Sequence, residues 1–147
     1  MSSKAMQAIT VARCRWIPTE IHPSKGGELF AVENLKSIPF AIQKMIVIKA
    51  AEGSIRGEHA HRRLEQVWYC LSGSCKFLLD DGKTQETVEL NTPCQGLYMG
   101  CYVWHRMFDF SGNCILIALG SDLHDPNEYI LDHSDFLSAL SDGNSLL

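Results

Sequence analysis

Two histidines one residue apart, His59 and His61, close the run Arg56-Gly57-Glu58-His59-Ala60-His61, and they are the side chains of this sequence best suited to chemistry. In an extended segment, residues at i and i+2 share a face, so the two imidazoles project together, into a cavity or onto a sheet surface. An ordinary imidazole pKa of about 6.5 suits proton transfer near neutral pH, and histidine is also the commonest metal ligand. The pair therefore points to one of two jobs, moving protons or holding a metal. Captured lone pairs cannot act as bases, so the two compete.

The elements that must position this pair read as a series of short strands. Met45-Ile46-Val47-Ile48 lies at the centre of a β-forming run over residues 41–49, and further runs cover 66–71, 74–80, 87–90, 96–99, 102–108 and 113–120. Before them, Gly26-Gly27 makes a turn and Leu29-Phe30-Ala31-Val32 a short strand, while the first twenty residues read as a lead-in with one candidate strand. Pro39 interrupts pairing because it lacks the ladder donor. Ser72-Gly73 marks a turn, and Asp81-Gly82 is a strong hairpin signal between two β-forming runs. This rhythm predicts an all-β sandwich or barrel rather than alternating β-α units. Only the end departs from it. Asp125-Pro126 can cap and open a helix, and Tyr129, Ile130, His133, Phe136, Leu137 and Leu140 recur at near-helical spacing, which predicts a helix over 126–140.

Two strands are apolar on both faces. Residues 113–120 alternate Cys114, Leu116 and Ala118 with Ile115, Ile117 and Leu119, and residues 102–108 set Val103, His105 and Met107 against Tyr102, Trp104 and Phe108. Such strands need cover from another layer, a helix or a second copy of the chain. A homodimer is the preferred source, with the C-terminal helix supplying some of it.

Bulk properties narrow the class. At 147 residues the chain fits one domain, and 46% hydrophobic with 20% charged residues is a globular balance. A net charge of −4 with no dense basic run argues against nucleic acid as a partner. No window is apolar enough to span a bilayer and the first ten residues lack a signal-peptide core, so a soluble, cytoplasmic protein is expected. The six cysteines form no Cys-x-x-Cys pair, which favours reduced, mostly buried thiols over a zinc ribbon or a redox motif.

The spacing Gly53-x5-His59-x-His61-x3-Glu65, with His105 on a later strand, resembles the first and second motifs of the cupin superfamily. In metal-binding cupins these positions hold the ion, and three imidazoles with a carboxylate can close several faces of an octahedron. A closer resemblance is to the nucleotide-sugar 3,4-ketoisomerases. It is carried by Arg56-Gly57-Glu58-His59-Ala60-His61, Leu64-Glu65-Gln66-Val67, Cys70-Leu71, Gly73-Ser74-Cys75, Leu79-Asp80-Asp81-Gly82, Gly96-Leu97-Tyr98, Val103-Trp104-His105, Asp109-Phe110-Ser111 and Ser121-Asp122.

That resemblance implies an all-β cupin (a double-stranded β-helix or jelly-roll barrel) in a single domain over 1–147, with its core at about 26–122 and the C-terminal helix at 126–140. It implies a homodimer working with no metal and no cofactor. The substrate would be a dTDP-linked 4-keto-6-deoxy sugar, converted to its 3-keto isomer on the way to deoxyamino sugars of the kind found in lipopolysaccharide O-antigens. His59 would be the leading base, by analogy with the Arg-Gly-x-His element of the related epimerases, and His61 its partner or the reprotonating acid.

Arg56 would bring a fixed positive charge to the diphosphate or the enolate oxygen. Strict alternation puts it opposite His59, and a bulge at Gly57 would turn it inward. Glu65 is a metal ligand or, as favoured here, the acceptor that orients an imidazole. His105 is a substrate contact or a satisfied core histidine. Trp104 stacks on thymine or packs, Tyr98 donates to sugar or phosphate or lines the wall, and Lys44 meets the diphosphate or solvent. His22, His124 and His133 fall outside the motif and read as surface or structural. The family's tyrosines after the Ile-Pro-Phe element are replaced here by Ile46 and Val47.

Overall fold

Runs of β-branched and aromatic residues bounded by glycine, aspartate and proline become strands throughout the chain. A computed structural model describes residues 8–142. In chain order the elements are β1 (Cys14–Pro18), β2 (Glu20–Ser24), β3 (Gly27–Ala31), β4 (Lys44–Ile48), β5 (Arg56–His61), β6 (Gln66–Ser72), β7 (Cys75–Asp80), β8 (Gln85–Leu90), β9 (Gln95–Met99), β10 (Trp104–Phe108) and β11 (Ile115–Gly120). A 3-10 turn (Pro126–Glu128), β12 (Tyr129–Ile130) and α1 (His133–Asp142) complete them. The lead-in expected at the start includes residues 1–7, which lie outside the described residues; β1 is its strand, and β2 went unforeseen.

Two five-stranded sheets face each other, ordered β1-β9-β6-β11-β4 and β12-β5-β10-β7-β8, with every strand pair antiparallel. This is the jelly-roll arrangement expected from the sequence. Between the sheets, Trp68, Cys70, Leu97, Met99, Leu116 and Ala118 of the first meet Phe77, Leu79, Leu90 and Met107 of the second in one buried cluster. The hairpin at Asp81-Gly82 forms as predicted. Gly82 takes φ +91, its N–H donates to Asp80 Oδ1, and Asp81 Oδ1 accepts from the N–H groups of Lys83 and Thr84.

The outer faces are covered largely from within the chain. Ile38 and Phe40 are buried with Ile17, Val67, Tyr69 and Leu119, while Ile42 and Ile117 pack alongside, and Asn34 Oδ1 fixes the covering segment by accepting from the Ile42 N–H at 2.7 Å. On the second sheet, Trp104 and Ala60 pack beneath Ile130 and Phe136. The cover that the sequence assigned chiefly to a second copy thus comes in good part from residues 38–42 and α1. Exposed apolar side chains include Ile21, Leu29 and Phe30 of the β2–β3 hairpin, Met45 and Val47 on the outer face of the edge strand β4, and Leu71 of β6.

The helix predicted over 126–140 is a correction. Residues 126–130 form the 3-10 turn and β12, and the helix begins only at His133. Tyr129 and Ile130 pair with His61 and Ala60, so sheet hydrogen bonding at the β5 edge overrides the helical period. Asp132 then caps α1, its Oδ1 accepting from the Asp135 N–H at 3.0 Å. Among the described residues, no helix is long and apolar enough to cross a membrane.

Candidate active site

The imidazoles sit on the inner face of the second sheet, at the point where β5 breaks register with β10. His105 opposes His59 and Arg106 opposes Gly57, leaving Glu58 as the extra residue of a β-bulge. Gly57 at φ +83 and Glu58 at φ +59 are both left-handed, and a Cβ on Gly57 would meet the His105 carbonyl at 3.0 Å. The extra residue shifts the alternation by one. Arg56, opposite Met107, therefore shares the inner face with His59, as a bulge at Gly57 predicts, and its side chain is exposed. Outside the bulge, Glu58 Oε1 lies 3.1 Å from Arg106 Nε, an ion pair without a directed hydrogen bond.

Three rings converge here. His59 lies edge-on to His61 at 4.8 Å and to His105 at 4.6 Å between centroids. His59 is half-buried, whereas His61 and His105 are only 4% and 1% exposed. A continuous chain of polar contacts runs through the first two. His59 Nδ1 lies 3.0 Å from the Gly57 carbonyl, His59 Nε2 lies 3.2 Å from His61 Nε2, and His61 Nδ1 lies 2.5 Å from Glu128 Oε1. The other carboxylate oxygen of Glu128 accepts from the backbone N–H groups of Arg62, Arg63 and Leu64 at 3.0–3.3 Å.

Burial dominates the electrostatics. It pushes the His61 imidazole down to about 4, against the pull of Glu128 and with the push of His59 and Lys44. Burial likewise lowers His59, and it holds His105 well below the ordinary histidine range. Glu128 feels burial upward, yet His61 and the N–H groups of Arg63 and Leu64 keep its carboxyl below the usual value. Burial thus opposes an imidazolium at His61, and backbone donors oppose a protonated acid at Glu128.

Of the residues singled out in the sequence, His59, His61 and His105 come together. Lys44 stands at the head of β4 with its stem against Gly120, close enough for its ammonium to act on His61. Glu65 is a correction. Its Oε1 accepts from the Tyr98 hydroxyl at 2.5 Å, so it orients no imidazole, and that task falls to Glu128. Tyr98 is thereby engaged; it packs with Val67, Tyr69 and Leu119 on the outer face of the first sheet, beneath the Arg15 guanidinium at 4.6 Å. Trp104 faces away from His105 and packs on His133 and Phe136 at 5.0 and 5.9 Å, which makes it a packing residue rather than a base-stacking one. The four-ligand cupin metal set does not fit. The three imidazole nitrogens lie within 4.8 Å of one another, but the Glu65 carboxylate is turned away to Tyr98.

Two site residues had no sequence signal of their own. Glu128 and Tyr129 read as one turn of a helix, yet the 3-10 turn and β12 deliver both to β5. The Tyr129 ring lies 5.0 Å from His59 and 4.6 Å from His61. Asp125 caps the turn through the Asn127 N–H and pairs with Arg63 at 2.9 Å, tying this segment to the loop after β5. A proline after a capping aspartate marks the turn, but nothing local marks its target. All six cysteines are free, with Cys14, Cys70, Cys75 and Cys114 buried, as expected.

The family model described as FdtA, WxcM-like, C-terminal, matches residues 12–141. The chain is 45% identical over 111 residues, 75% of its own length and 80% of the relative's, to a TDP-4-oxo-6-deoxy-alpha-D-glucose-3,4-oxoisomerase of Aneurinibacillus thermoaerophilus. Among solved structures it resembles a 3,4-ketoisomerase from Helicobacter canadensis, with TM-score 0.85 and 38% identity over 88% of this chain and 98% of that one. It also resembles QdtA, a sugar 3,4-ketoisomerase from Thermoanaerobacterium thermosaccharolyticum in complex with TDP, with TM-score 0.88 and 33% identity over 92% and 99% of the two chains.

Proposed function

The chain belongs to the FdtA family, and from that premise we propose that it is a nucleotide-sugar 3,4-ketoisomerase acting on a dTDP-linked 4-keto-6-deoxyhexose. The observation that carries this reading is its 45% identity to the Aneurinibacillus oxoisomerase. The His59–His61 pair supplies the chemistry such a reaction needs. The C4 carbonyl acidifies the hydrogen on C3. A base removes that hydrogen to give a cis-enediol, a proton is added at C4, and the hydroxyl proton passes from the C3 oxygen to the C4 oxygen. Imidazoles can both accept and donate at neutral pH.

His59, the more accessible ring, is the base we assign to the sugar, with His61 behind it as partner and His105 as a further contact. Arg56, on the same face of β5, and Lys44 are the cations assigned to the diphosphate or the developing enolate. A homodimer is part of the reading, supported by a β2–β3 hairpin on which Ile21, Leu29 and Phe30 are exposed. A cytoplasmic location fits six unpaired thiols. Deoxyamino sugars of an O-antigen are the proposed destination of the product.

The test is incubation of dTDP-4-keto-6-deoxyglucose with the protein in deuterated water. The expected result is a 3-keto product carrying deuterium at C4, together with label at C3 of recovered substrate. A protein that binds the nucleotide sugar tightly and introduces no label is a binding module, and that result ends the isomerase reading.

A further inference from the structure

The contacts from Gly57 to Glu128 contain three gaps: Gly57 O to His59 Nδ1 (3.0 Å), His59 Nε2 to His61 Nε2 (3.2 Å) and His61 Nδ1 to Glu128 Oε1 (2.5 Å). Every gap lies between two atoms that can each present a lone pair. A carbonyl and a carboxylate only accept, and a neutral imidazole carries a single N–H. Two neutral rings beside an ionised carboxylate hold two protons for three gaps. Whichever tautomers they adopt, at least one gap then sets lone pair against lone pair within 3.2 Å, in a site where His61 and Glu128 are 4% and 3% exposed. A third proton removes that contact. It sits on the rings, as an imidazolium facing a carboxylate, or on Glu128, with His61 turned to its Nε2–H form. Both arrangements leave the three residues with zero net charge and place an N–H between the two Nε2 atoms.

We propose that Glu128 is the positioning residue of the isomerisation, holding with His61 and His59 a chain that carries one proton beyond its two neutral rings. This rests on the proposed isomerase reading for its use in turnover. The balance of the reaction suits it. One Nε2 lone pair takes the proton from C3, the neighbouring Nε2–H gives a proton to C4, and the chain ends with the number it began with. Glu128 lets the extra proton move between Oε1 and Nδ1 without creating a buried net charge. The groups facing His61 are Glu128 from the 3-10 turn, His59 on β5, His105 on β10, Tyr129 on β12 and Lys44 on β4.

Glu128→Gln tests this. The amide can keep the backbone contacts with its oxygen and donate to His61 Nδ1, which preserves the Nε2–H between the rings but cannot exchange a proton. The expectation is a kcat about 100-fold lower with KM within about twofold and little change in melting temperature. Glu128→Asp is expected to recover part of the loss. In the wild-type protein at neutral pH, NMR should show three protons on the chain: one on His59 Nδ1, one between the facing Nε2 atoms of His59 and His61, and one between His61 Nδ1 and Glu128. Finding only two protons on the chain overturns the proposal, as does full turnover in Glu128→Gln. The NMR result stands apart from the deuterium test, so a failure of the isomerase reading and a failure of the proton chain are told apart.

Discussion

His133 Nε2 lies 2.8 Å from Asp80 Oδ2, tying the first residue of α1 to the end of β7. Burial alone raises the Asp80 carboxyl, but hydrogen bonds from His133, Gln85 and the Gly82 N–H outweigh it and hold the group below its ordinary value. A carboxyl depressed in the folded state contributes stability that is present above its unfolded pKa, about 3.9, and is lost as pH falls through the lower folded value. His133→Ala is therefore expected to destabilise the protein by about 1 kcal/mol at pH values above that range. The difference from wild type should shrink in strongly acid solution. Thermal melts of both proteins across the acid range check this, and a difference that does not change with pH refutes it.

Replacing either ring of the facing pair should stop turnover without unfolding the chain. His59→Asn and His61→Asn each are expected to lower kcat by roughly 10²–10⁴. Deuterium entry at C3 should fall in parallel in His59→Asn, because that ring is assigned to the sugar. Exchange at C3 that survives in His59→Asn but not in His61→Asn would exchange the two roles.

Gly57 and Gly53 both have left-handed backbones, φ +83 and φ +80, but only Gly57 is crowded. Alanine at position 53 meets open space and should cost about 1 kcal/mol for the conformation alone. Alanine at position 57 adds contacts of 3.0 Å to the His105 carbonyl and 3.2 Å to its ring, and is expected to cost about 1–3 kcal/mol with a clear loss of turnover. Melting temperature and kcat measured on both variants separate the two effects.

The proposed dimer would form on the β2–β3 hairpin. Leu29 and Phe30 are 54% and 38% exposed there, on a two-stranded ribbon that is marginal by itself in water. Sedimentation of the wild-type protein should give twice the chain mass. A Leu29→Asp, Phe30→Asp variant is expected to sediment as one chain, and a wild-type monomer at micromolar concentration removes the dimer from the proposed function.

Much of this architecture is legible in the linear chain, and the reasons for success and failure differ by residue. His59, His61 and His105 could be placed on shared faces because strand alternation is local. The bulge could be anticipated because Gly57 tolerates the left-handed backbone that an extra residue needs. Asp81-Gly82 announces its hairpin for the same reason. Glu65 departs from the expected role because four residues beyond His61 the chain has already turned toward β6, and there Tyr98 of β9 claims the carboxylate. Glu128 and Tyr129 were hidden by coincidence. Their neighbours repeat at a helical period, while the pairing of Tyr129 with His61 spans a gap in sequence that no periodicity reports.

The carboxylate that seats against His61 is 67 residues further along the chain. Most of the sandwich is already synthesised before this acid leaves the ribosome, so the growing polypeptide carries its imidazoles for some time with no counter-group. A molecule clipped ahead of Pro126 keeps both sheets' long strands but loses Glu128, β12 and α1, and with them the cover over Trp104 and Ala60.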